Sequence, residues 1–113
     1  MKNIQLIASD IDGTLLLNGS QAIDPEIFNL IHQLQQKGIL FMAASGREYT
    51  NLRDLFSPLA DDIAYLCLNG CITFYKGECI SKEVMDAELA RKLITTIQND
   101  SNVEVLVSGE KTC

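Results

Sequence analysis

Basic side chains are scarce: nine Lys and Arg stand against fifteen Asp and Glu in 113 residues, a formal charge of −6. Nucleic acid and anionic membrane surfaces reward clustered cations, so neither is expected as a partner. Paired C-x-x-C spacing is missing among Cys67, Cys71, Cys79 and Cys113, and the single histidine, His32, lies far from them in sequence. A structural zinc site is therefore not expected, and the cysteines read as small buried hydrophobes. No apolar run approaches the ~20 residues of a membrane span, and the opening MKNIQLIASD reaches Asp10 before a leader's apolar stretch forms. These absences fit a reducing, cytoplasmic setting.

What is present reads as one α/β domain. The run IQLIAS, residues 4 to 9, predicts a buried strand that delivers Asp10. Asp24 before Pro25 marks a helix start, and Ile27, Leu30, Ile31 and Leu34 recur at helical spacing until Gly38. ILFMAA, residues 39 to 44, predicts a strand buried on both faces that delivers Ser45, Gly46 and Arg47. Helical spacing returns from Glu48 to about Phe56, and IAYLCL, residues 63 to 68, predicts a third strand that delivers Asn69 and Gly70.

Strand, helix, strand, helix, strand implies a parallel sheet with right-handed crossovers. DIDGT, SGR and NG would then share the carboxyl edge of that sheet, where open α/β folds form their ligand crevice. Beyond Gly70 the pattern changes to what reads as another layer. CITFYKGECISKE alternates about Lys76-Gly77 as a hairpin, DAELARKLITTIQND reads as a helix with Leu89, Leu93, Ile94 and Ile97 inward, and VEVLVS reads as a strand.

Asp10 and Asp12 crowd two like charges at a strand end, an arrangement that calls for a cation or for one carboxyl held protonated. Mg²⁺ suits such a site, because it accepts one or two carboxylates, a carbonyl, waters and a substrate phosphate. Gly13 would let the chain turn sharply there, leaving amides to face an anion. The bland alternative for DIDGT is a surface turn and helix cap, and for SGR a cap with a solvated arginine.

DIDGT after an apolar strand, SGR after the second and NG after the third resemble the haloacid dehalogenase superfamily of phosphohydrolases, and within it the Cof-like branch with a large inserted cap. The resemblance implies a partial Rossmann-like core over residues 1–83 and the beginning of an α+β cap over 84–113. It further implies Asp10 as nucleophile and metal ligand, and Asp12 as general acid and base whose carbonyl also ligates Mg²⁺. Ser45 and the Gly46 amide, at a helix amino end, would hold the phosphoryl oxygens. Thr14 would brace the loop, and Arg47, Asn69 and Gly70 would line the phosphate site. The substrate would be a small phosphorylated metabolite, a sugar phosphate or cofactor phosphate.

Two parts of the family's machinery have no match here: a lysine beside the nucleophile and a distal acidic strand end. Asp61 and Asp62 precede a strand and read as a solvated turn, and Lys76, Lys82 and Lys111 lack the expected context. The expectation is the front part of a protein at least twice as long, weakly active or inactive alone, with an unpaired edge beside strand one that favours self-association. A non-catalytic scaffold remains an alternative. So does a response-regulator-type phosphoacceptor, although its acceptor aspartate should end strand three, where Asn69 stands. His32 and the Glu88 and Lys92 pair read as solvated surface.

Overall fold

The computed structural model describes residues 3–110. Strands β1 (Leu6–Asp10), β2 (Leu40–Ala44) and β3 (Ala64–Cys67) pair in parallel, joined by helices α1 (Pro25–Gln36) and α2 (Tyr49–Leu55). The predicted order of elements is thus observed. Asp24 caps α1 by accepting the Glu26 amide at 2.9 Å, and Pro25 opens the helix where its missing N–H costs nothing.

Both helices pack on one side of the sheet. Phe56, just past α2, meets Phe28 of α1 and Phe41 of β2, each at a ring separation of 6.1 Å. Buried Ile31, Leu52, Ala43, Tyr65 and Phe74 complete that core. The other face carries the row Asp10, Ala44 and Leu66 and the row Ala8, Met42 and Ala64. Burial consequently alternates along β2, and β1 is half exposed throughout. Continuous burial of β1 and β2 was the expectation from their apolar runs; among the described residues no second layer covers the opposite face.

The hairpin forms as expected but not as another layer. Strands β4 (Ile72–Tyr75) and β5 (Glu78–Lys82) extend the same sheet antiparallel, giving the order β1-β2-β3-β4-β5. Lys76 and Gly77 both adopt positive φ, 52° and 77°, which matches the turn twist to that of the strands. Tyr49 of α2 stacks on Phe74 of β4 with centroids 3.9 Å apart, so the hairpin shares the main core.

Helix α3 (Ala87–Gln98) follows, capped by Asp86 accepting the Leu89 amide at 3.0 Å. Its apolar stripe is only partly inward: Ile94 is half-buried, but Leu89, Leu93 and Ile97 stay 38–50% exposed, and no residue of the helix is fully buried. VEVLVS forms no strand, since it finds no partner edge among the described residues. His32 is exposed as expected, and Asp61 sits in a short turn of helix, paired with Arg53 at 3.2 Å. Cys67 is buried and Cys79 partly so, but Cys71 is exposed, which corrects the uniform reading of the cysteines. Cys113 and Lys111 lie outside the described residues.

Candidate active site

The loop after β1 is wound around one carbonyl. Buried Ile11 accepts the amides of Thr14, Leu15 and Leu16 at 2.9–3.1 Å, and the Gly13 amide donates to Leu16 at 2.9 Å. This winding puts Gly13 at φ +83° with open space around it, so conformation and not crowding demands glycine. Asp10 emerges from the strand end exposed to solvent, and the Thr14 hydroxyl donates to its Oδ2 at 3.1 Å. That bond fixes one carboxylate oxygen and orients the other.

Register fixes the distance between loops. Asp10 pairs with Ala44, so Ser45 begins one residue beyond the Asp10 row, on the same sheet edge. Ser45 is buried, its amide donates to Leu66 at 2.9 Å, and its hydroxyl accepts the Arg47 amide at 3.1 Å. The β3 end is stitched to this turn by Leu68 and Asn69 amides donating to the Arg47 and Ser45 carbonyls, both at 3.1 Å. Asn69 takes φ 57° there, and its side-chain oxygen stands 2.9 Å from where a Cβ on residue 46 would project. Gly46 is therefore the residue that permits the two loops to touch. Gly70 follows at φ +97°.

The three predicted clusters thus meet at one edge. One detail differs: α2 begins at Tyr49, three residues after Gly46, so the Gly46 amide belongs to the Ser45–Arg47 turn and not to a helix end. Arg47 also departs from an open phosphate contact. Its Nε donates to Asp12 Oδ2 at 2.9 Å, its Nη2 to Asp12 Oδ1 at 2.7 Å, and its Nη1 to Asn51 Oδ1 at 2.6 Å. The hydrogen-bonded guanidinium holds the Asp12 carboxyl below its ordinary range, and the carboxylate raises Arg47 in return. Asn51 was not singled out from sequence; its place one helical turn beyond Arg47 is the signal that would have found it.

Among the described residues no group of three or more His, Cys, Asp or Glu is gathered to hold a metal. The exposed Asp10 carboxylate is a hard-oxygen donor at a solvent-open edge, a donor type that suits Mg²⁺ because that ion keeps several waters and needs few protein ligands. The Asp12 carboxylate, committed to Arg47, is the poorer ligand of the two Asp12 oxygens.

A cavity of about 700 Å³ opens beside Gly46 and Asn69, walled by Leu68, Ile72, Val84, Met85 and Val107. A smaller cleft of about 420 Å³ is lined by Arg47, Asn51, Phe28 and Leu55.

Compared with known proteins, residues 7–113 match the haloacid dehalogenase-like hydrolase family. The chain is 30% identical over 112 residues to the Escherichia coli 5-amino-6-(5-phospho-D-ribitylamino)uracil phosphatase YbjI, covering 96% of this chain and 40% of that protein. A solved Streptococcus mutans structure is similar with a TM-score of 0.82 and 30% identity over 96% of this chain and 41% of its own. A HAD subclass IIB sugar phosphatase gives a TM-score of 0.64 and 25% identity over 84% of this chain and 37% of its own. The chain therefore spans about two fifths of the length of the proteins it matches.

Proposed function

Because the chain belongs to the haloacid dehalogenase-like hydrolase family, we propose that it carries the phosphoryl-accepting half of a Mg²⁺-dependent phosphatase of small phosphorylated metabolites, a sugar phosphate or cofactor phosphate. One observation carries the reading: Asp10 stands exposed and braced by Thr14 on the sheet edge where Ser45 and Gly46 turn.

On this reading an Asp10 carboxylate oxygen attacks phosphorus as the bond to the leaving alkoxide breaks, giving an aspartyl-phosphate. Asp12, once it has taken up a proton from solvent, passes it to the alkoxide, then takes a proton from the water that attacks the same phosphorus and displaces the Asp10 oxygen, returning the Asp10 carboxylate and releasing phosphate. Such proton transfer is worth ~10²- to 10⁴-fold in rate. The Ser45 hydroxyl and Gly46 amide orient the phosphoryl oxygens, with Asn69 and Gly70 shaping the far wall. Mg²⁺, held by the Asp10 carboxylate and the Asp12 carbonyl, would offset the negative charge that two aspartates present to an incoming phosphate. Arg47 leaves Asp12 for the substrate's phosphoryl oxygens, which offer the same bidentate acceptor geometry. Only then is Asp12 free to carry a proton.

The remaining proposals follow the same reading. Residues 1–83 form core and 84–113 begin a cap, consistent with β5 ending at Lys82 and irregular chain as far as Asp86. A cytoplasmic setting is part of this proposal; among the described residues no helix is long and apolar enough to cross a membrane. The free edge of β1 favours self-association.

Phosphate release from metabolite monoesters with Mg²⁺, by this chain and by Asp10→Asn, tests the proposal. Hydrolysis lost in the variant supports it; equal rates in both remove Asp10 from the mechanism.

A further inference from the structure

Arg47 is tied at both ends of its side chain, and Asn51 holds the far one. At the backbone, the Arg47 amide donates to the Ser45 hydroxyl and its carbonyl accepts the Leu68 amide, both at 3.1 Å. The root of the side chain is therefore fixed in the turn. At the guanidinium, Nε and Nη2 form the edge that meets Asp12, while the third nitrogen, Nη1, donates to Asn51 Oδ1 at 2.6 Å.

Asn51 is the third residue of α2 after the Glu48 cap. A polar side chain at that position commonly reaches back to the amide of the cap residue. Here it reaches one residue further, to the Arg47 side chain. Asn51 is exposed, and asparagine is among the weaker helix formers, so neither burial nor helix propensity accounts for it. A surface bond between residues four apart adds little stability; what it adds is direction.

The residue type suits that task. An amide oxygen accepts from the guanidinium without neutralising it, whereas a carboxylate at 51 would compete with Asp12 for Arg47 and oppose an incoming anion. The exchange of Asp12 for a phosphoryl group, which rests on the phosphatase reading, carries the Nε–Nη2 edge from one pair of oxygens to another. With Nη1 held, that movement is a turn about a fixed point. With Nη1 free, a long side chain of many rotamers has to be immobilised at each encounter.

We propose that Asn51 is a positioning residue that acts through Arg47, keeping the guanidinium at the mouth of the site while its forked edge passes from Asp12 to the phosphate.

Inorganic phosphate is the probe, titrated calorimetrically with Mg²⁺ into the 113-residue chain. Asn51→Leu keeps the shape of the side chain and removes the acceptor; Asn51→Gln returns a neutral acceptor on a longer arm. The leucine variant should bind phosphate about 3- to 10-fold more weakly at an unchanged urea midpoint, and the glutamine variant should recover most of that affinity. In an Arg47→Met background, Asn51→Leu should make no further difference, because the partner through which it acts is gone.

Phosphate affinity unchanged in Asn51→Leu, a loss that Asn51→Gln does not restore, or an equal loss with and without Arg47 would overturn the assignment. So would a failure of the unaltered chain to bind phosphate. Hydrolysis of acetyl phosphate by the chain and by Asp10→Asn reads the phosphatase proposal separately. If hydrolysis requires Asp10 while Asn51→Leu binds phosphate normally, only the positioning role fails; an Arg47-dependent effect of Asn51 on phosphate without Asp10-dependent hydrolysis upholds that role and removes the phosphatase reading.

Discussion

Arg47 grips Asp12 with two donors at 2.7 and 2.9 Å across 35 positions of sequence, joining the loop after β1 to the loop after β2. The fork is specific in geometry yet lies at the surface, with side chains 29% and 57% exposed. Its contribution to stability is therefore small, and its effect on Asp12 is local.

Replacing Arg47 by methionine removes the fork and leaves Asp12 solvated. The Asp12 carboxyl pKa, followed by NMR, should rise from its lowered value toward the ordinary 3.8. Because the folded value is the depressed one, the pair's share of stability is present above 3.8 and disappears as pH falls through the folded value. At neutral pH the variant should lose no more than about 1 kcal/mol in denaturant unfolding. An unchanged Asp12 titration would show that the fork does not persist in solution.

The contact between Gly46 and Asn69 gives a sharper stability test. Gly46→Ala places a methyl 2.9 Å from the Asn69 side-chain oxygen, and should cost about 1–3 kcal/mol in urea unfolding. Asn69→Gly accepts the φ of 57° and removes the obstructing amide, so the double variant should recover most of that loss. Strict additivity of the two substitutions would place the strain elsewhere.

The cysteines separate by burial. The exposed Cys71 should react with a thiol reagent rapidly in the native protein, whereas Cys67 should react only on unfolding. Burial pushes the Cys67 thiol up from 9.0 to about 11, and burial also raises the Tyr65 hydroxyl, which donates to the Ala60 carbonyl. Both groups hold their protons more tightly when folded. The associated stability is complete below pH 9 and should fall as pH rises toward 11, seen as a declining melting temperature. A melting temperature that stays flat across that range would contradict the burial of Cys67.

The β1 edge predicts association. Leu6 is 47% exposed on a strand whose only neighbour among the described residues is β2, and no proline interrupts it. Sedimentation should show concentration-dependent dimers that Leu6→Lys suppresses, because an edge lysine opposes strand addition. A compact monomer at all concentrations would count against this.

Much of this architecture is legible in the sequence for a physical reason. Short apolar runs ending in DIDGT, SGR and NG encode both strand positions and the edge at which they stop, and register then brings Asp10 and Ser45 together. Periodicity does not reveal how many faces of a strand are covered, which is why β2 looked doubly buried from ILFMAA. Nor does amphipathicity supply a partner. The stripe of α3 and the alternation of VEVLVS are real patterns, but among the described residues the one is only partly covered and the other pairs with no strand. The Arg47 fork was hidden for a different reason: a pair 35 positions apart depends on the parallel crossover having already formed.

Trapping of a phosphorylated aspartate tests the central claim most directly. The chain is mixed with Mg²⁺ and acetyl phosphate, quenched in acid, digested and analysed by mass spectrometry. The account predicts one phosphoryl group on the peptide bearing Asp10, absent from Asp10→Asn. Label on another residue, or label that persists in the variant, would contradict it.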